Sequence, residues 1–317
     1  MGVRVNDLTE LLLDRVVEAD GEGYWEALAD YSPYLAERYL TDLAGLEKGE
    51  DAKEILSAVE RDAYREHVLG VRDRIGQEAE RLARELEERM GLGEREIYVV
   101  LMPGLFFSNA FQGAKQGVGM VGICLEQFGE DAPEPSLRVP LENLPIWLSH
   151  ELAHLRRYLS LDHRTRSWFN ELALSTGVLI SKLRPLCPIK AFVMDEGMAT
   201  WESLELTGRE EPAVLGYSEE EYERAGEVYA KHLGEVVEAI ESDEEEVFER
   251  LLFQTEPVSL GGVELPGRFG YFLGLRATQA LIQSGMSPEE LTLTYEEKLF
   301  DRFVQMACPA VTGASAS

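Results

Sequence analysis

The stretch WLSHELAHLRRYL, residues 147–159, limits what this chain can fold into more than any other part of it. Leu144, Trp147, Leu148, Leu152, Leu155 and Leu159 recur at helical spacing, so the segment reads as a helix with a large apolar surface, and such a helix is buried. Within it lie His150, Glu151 and His154, in the order H-E-x-x-H. Burying two imidazoles and a carboxylate costs several kcal/mol unless they are paired or bind a metal. The fold must therefore supply a partner for them.

Positions i and i+4 share one helix face, so His150 and His154 can grip one ion. Glu151 follows the first histidine and projects beside that ion, where it can take a proton from water activated by the metal. A chain of this composition holds the pattern by chance in roughly one case in a hundred, which is low for so short a motif. A buried structural histidine pair is the bland alternative.

Catalytic zinc needs three protein ligands and an open position. The metzincin pattern would place a third histidine where this chain has Ser160, and a glycine where it has Arg157, so that arrangement is excluded. Other histidines stand at 67, 163 and 232. His67 and His232 fall in helical, charged stretches and read as surface or packing residues, while nothing around His163 supports it as a ligand. The stronger candidate is Glu196 in VMDEGMATWESL, an acid expected at the start of a second helix, with forty-one residues between it and His154. Asp195 could orient a ligand from behind. A simple preference of acids for a helix N-terminus competes with that reading. Glu202, further along the same helix, is the fallback.

Charge narrows the partners. The chain has 59 acidic against 30 basic residues, a net charge of -29. Nucleic acid and anionic membranes both need clustered Lys and Arg, so neither is an expected partner. No apolar run reaches the length of a membrane span. Cys124, Cys187 and Cys308 are far apart and form no C-x-x-C pair, which argues against a disulfide scaffold and a cysteine-bound zinc. MGVRVNDLTELLLDRVVEAD has acidic flanks and no small-residue cleavage site, so it reads as a helix rather than an export signal, and the cytoplasm is the expected compartment.

The expected fold class is α+β and mainly helical, with a small β-sheet. Residues 1–94 read as an N-terminal helical region, which includes a long amphipathic stretch from residue 51 closed by Gly91. EIYVVLMP and VGMVGICLEQFG read as strands, with GLFFSNAFQGAKQG as a loop between them. Gly119 and Gly122 inside the second strand suggest a bulge or the close approach of another backbone. EDAPEPSLRVP reads as a loop. Asn143 is the expected cap of the H-E-x-x-H helix. Residues 95–210 form the expected core, and residues 211–317 a C-terminal helical region with Ser287 as a cap and a disordered tail.

HELAH followed by DEG resembles the gluzincin metallopeptidases, whose third ligand is a Glu on a downstream helix. More closely, the chain looks like an uncharacterised family of predicted zinc-dependent proteases. That family carries a glycine-rich strand before the motif helix, an E-G-x-A segment after it, and a later G-Y-x-x-G helix. The corresponding segments here are GVGMVGICL, DEGMAT (Glu196, Gly197, Ala199) and GYFLG (Gly270, Tyr271, Gly274), and the resemblance covers roughly residues 95–285. It implies a zincin-like core with zinc held by His150, His154 and Glu196, and Glu151 as the general base. It also implies Tyr271, or Arg268, as donor to the oxyanion, and a peptide substrate beside the strand around Gly119 to Leu125. A core tyrosine is the bland alternative for Tyr271. Rival functions are a zinc-stabilised binding protein without turnover, a zinc hydrolase of a non-peptide amide, and a structural helical protein with a chance motif.

Overall fold

Val3 and Val5 alternate with polar Arg4 and Asn6, a period of two that suits a strand. In the computed structural model Gly2–Asp7 is indeed a strand, β1, and the expected helix begins only after it. The structure describes residues 1–18, 22–43, 60–133, 138–175, 177 and 180–308. It is mainly helical with a small mixed sheet. Two compact units divide the chain: Met1–Leu159 with Leu172–Ser181, and Ser160–Glu171 with Lys182–Ser317.

In the first unit, the Asp7 carboxylate accepts from the Thr9 N–H at 2.8 Å. This bond ends β1 and starts α1 (Thr9–Glu18). Two further helices follow, α2 (Glu22–Tyr31) and α3 (Pro33–Ala36), and then a π-helical turn over Glu37–Leu43. The long helix α4 (Arg61–Met90) buries Tyr64, Val68, Val71, Ile75, Ala79, Leu82 and Leu86, a stripe spaced by three and four, and Gly91 closes it at φ 66°. The part of that stretch before residue 60 lies outside the described residues.

The sheet contains β2 (Glu96–Met102), β3 (Ala110–Lys115) and β4 (Val118–Cys124) as well as β1, in the order β1-β2-β4-β3. β1 and β4 both run parallel to β2, and β3 is antiparallel to β4. Three sequence expectations change here. GLFFSNAFQGAKQG is not all loop, because Gln116 and Gly117 both take positive φ, at 53° and 82°, and turn β3 directly into β4. Such a two-residue turn matches the strand twist. β4 carries no bulge, since its register runs unbroken on both sides. Its glycines make room for side chains rather than backbone. A Cβ at Gly119 would lie 2.8 Å from Leu159 and 2.9 Å from Leu155, and one at Gly122 would lie 2.2 Å from the Phe111 ring.

Gly119 thereby lets the H-E-x-x-H helix, α5 (Leu144–Tyr158), rest on the sheet through its leucines. Pro145 lies in its first turn, but the Asn143 side chain makes no capping bond and a short 3-10 turn over Leu141–Asn143 leads in instead.

A buried carboxylate follows β4. Glu126 is fully buried and accepts from the Gly104 and Phe106 N–H groups at 2.6 and 3.0 Å. Tyr24, Tyr39 and Tyr64 secure the same loop at Pro103, Leu105 and Gly104. Desolvation raises the Glu126 pKa from 4.5 to about 7, against the opposing pull of those N–H groups. A raised folded pKa stabilises below the ordinary value, and that contribution is lost as pH rises through about 7. The native chain is therefore expected to lose about 3 kcal/mol of stability between pH 4.5 and 8 from this group. Urea midpoints across that range should fall less steeply in Glu126→Gln. Equal slopes for the two proteins would remove Glu126 as the cause.

The second unit is built on α6 (Ile189–Thr207), which meets three more helices, two of which carry a hairpin. These are α7 (Glu219–Ser242), kinked at His232, α8 (Glu245–Leu252), the β5 (Val258–Leu260) and β6 (Val263–Leu265) pair, and α9 (Phe269–Gln283). α6 and α9 touch backbone to backbone. A Cβ on Gly197 would sit 2.1 Å from the Gly274 carbonyl carbon, and one on Gly274 would sit 2.1 Å from the Val193 oxygen. Ser287 caps a short helix with Glu290, as expected, and α10 (Glu296–Ala307) follows. Residues 134–137 of the Pro-containing loop and the tail from 309 lie outside the described residues. Among the described residues no helix is long and apolar enough to cross a membrane.

Candidate metal centre

Helix α5 brings the two motif histidines together. Their ring centroids are 4.8 Å apart with planes at 78°, and the two Nε2 atoms face each other at 3.2 Å. Two nitrogens bound to one tetrahedral zinc at about 2.0–2.1 Å would be about 3.3–3.4 Å apart, so the pair fits the ion closely. His150, Glu151 and His154 are 8%, 7% and 2% exposed, which makes partners obligatory for them. The same spacing also suits a hydrogen bond in which one Nε2 keeps its proton.

Glu196 does not stand at a helix start. α6 begins at Ile189, so Asp195 and Glu196 lie two turns in, beyond the reach of the N-terminal dipole. The preference of acids for helix starts therefore does not account for them. Asp195 is buried at 3% exposure. His150 and His154 belong to the first compact unit and Glu196 to the second. The His163 side chain is 93% exposed.

Tyr271 is half-buried in the first turn of α9, three residues before the Gly274 that abuts Gly197. It is thus not a fully enclosed core tyrosine. Arg268 stands at the entrance of α9 with left-handed backbone, φ 54°, and its carbonyl accepts from the Tyr271 N–H at 3.0 Å. Such a φ is uncommon away from glycine.

No family model matches the chain, and neither does any curated protein or solved structure.

The other titratable candidates sort themselves out. His232 is exposed and pairs with Glu235 at 3.4 Å. His67 is a partly buried packing residue whose pKa is lowered, first by desolvation. All three cysteines are free. The expected substrate strand is corrected: β4 is paired on both sides, so the sheet edge on this flank is β3. Two residues escaped the sequence reading. Tyr158 Oη lies 3.2 Å from His154 Nδ1, and Gln112 Nε2 lies 3.4 Å from Tyr158 Oη. Tyr158 was legible, since it follows His154 by four on the same helix face. Gln112 was hidden by the loop assignment of its strand.

Proposed function

We propose that the chain is a zinc-dependent metallopeptidase with a zincin-like core, acting in the cytoplasm. The observation that carries this reading is the pair of buried Nε2 atoms 3.2 Å apart, with Glu151 beside the first of them in the same helix. His150 and His154 would hold the metal, with Glu196 of the downstream DEG segment as the proposed third ligand. When bound, zinc supplies a Lewis acid that polarises a carbonyl and lowers the pKa of water. Glu151 accepts the proton of the attacking water and returns it to the leaving amine, which is general base and then general acid work. Tyr271 donates a hydrogen bond to the oxygen on which negative charge develops. Three free cysteines suit a reducing compartment.

Elemental analysis of the purified protein tests the ligand set. The native chain is expected to carry one zinc, and both His154→Ala and Glu196→Ala to lose it or hold it far more weakly. Zinc retained in Glu196→Ala would remove Glu196 from the set. No zinc in the native chain after adding it back would end the enzyme reading.

A further inference from the structure

The first unit holds a polar relay behind the paired imidazoles, and the chemistry above leaves it without a role. His154, Tyr158 and Gln112 are 2%, 1% and 7% exposed, and the contacts that join them run from His154 Nδ1 to Tyr158 Oη and on to the Gln112 amide. Gln112 is itself held from the other side. Its backbone oxygen accepts from Arg38 Nε at 2.8 Å, Arg38 is ion-paired with Asp42, and the next outward-facing group of β3, the Ala114 N–H, donates to Tyr34 Oη at 3.1 Å. The relay therefore ends on a strand that cannot easily shift.

A neutral imidazole carries one proton, and the nitrogen that carries it cannot bind a metal. His154 presents Nε2 to His150, so its proton has to sit on Nδ1 for Nε2 to ligate. Nδ1–H then donates to Tyr158 Oη, and the tyrosine proton needs an acceptor of its own. Gln112 Oε1 is a buried oxygen without a hydrogen-bond partner. The two ends of the amide have the same shape, so turning it over places Oε1 where Tyr158 can donate to it. The proton direction is then fixed from His154 through Tyr158 to Gln112, with no net charge buried.

We propose that Tyr158, braced by Gln112, is the positioning residue that holds His154 in the Nδ1-protonated form and aims its Nε2 at the metal. This rests on the zinc reading above. Partners that orient a metal-bound histidine are typically worth 10–100-fold in affinity.

Zinc affinity by chelator competition, together with 15N spectra of labelled histidine, provides the test. Tyr158→Phe keeps the ring and removes the hydroxyl, and Gln112→Met removes the acceptor at nearly constant volume. Both are expected to bind zinc about 10–100-fold more weakly. Leu161→Ala, at a residue 64% exposed, should bind like the native chain. The spectra of the native zinc form should show His154 protonated on Nδ1. Affinity within twofold of native in both variants, while the native chain binds zinc, would overturn the relay and leave the metal site standing. A native His154 protonated on Nε2 would also overturn it. A native chain that binds no zinc would overturn both proposals together. If Tyr158→Phe does not fold, Gln112→Met carries the measurement alone.

Discussion

Glu151→Gln is expected to bind one zinc as tightly as the native chain and to hydrolyse peptides about 10²–10⁴-fold more slowly, the usual contribution of a positioned general base. The substitution is close to isosteric and leaves His150 and His154 in place. The Gln amide, however, cannot accept and return a proton. A peptide library analysed by mass spectrometry first identifies a peptide that the native protein cleaves, and that peptide then gives the rates of both proteins. Cleavage by Glu151→Gln at the native rate would place the base elsewhere. Zinc-loaded native protein that cleaves no peptide would favour a non-catalytic zinc protein.

The second large effect is expected at Gly274. An added Cβ there would fall 2.1 Å from the Val193 oxygen and 2.8 Å from the Gly197 Cα, both of them backbone atoms. Backbone cannot rotate out of the way, so α6 and α9 would have to part. Overpacking commonly costs about 1–3 kcal/mol, and the helix propensity gained by Gly→Ala offsets at most about 1 kcal/mol. Because the collision is with backbone, Gly274→Ala is expected near the upper end, a net loss of about 2–3 kcal/mol. Gly226→Ala in α7 is the control. A Cβ there meets nothing within 4 Å, and it should stabilise by up to about 1 kcal/mol. Urea midpoints give both values, and equal stability of Gly274→Ala and the native chain would disprove the close contact. Parting the helices also shifts the turn that carries Glu196, so zinc should bind more weakly in the same variant.

Local signals are legible in the sequence where they run over a few residues of one element. The i, i+4 histidines, the leucine stripe, the Gly91 stop and the Ser287 cap all depend on neighbours within about two turns. A short segment is harder to read where its neighbours set the pattern. β1 reads together with the helix behind it, although Val-Arg-Val alternates with period two. β3 reads as a loop because its residues are small and polar, although the Gln116-Gly117 pair is a usable hairpin signal.

Composition and spacing by themselves determined that a buried helix carries two histidines and a glutamate on adjoining positions, because helical periodicity is a property of the chain alone. They also singled out Glu196, while the family resemblance pointed to the glycines of DEGMAT and GYFLG. Only the tertiary structure decided that Glu196 lies mid-helix, that Gly197 and Gly274 meet, that β4 is interior, and that Gln112 and Tyr158 stand behind His154. Each of these depends on which distant segments pack together. That outcome follows from burial and shape summed over the whole core, and no window of sequence contains it.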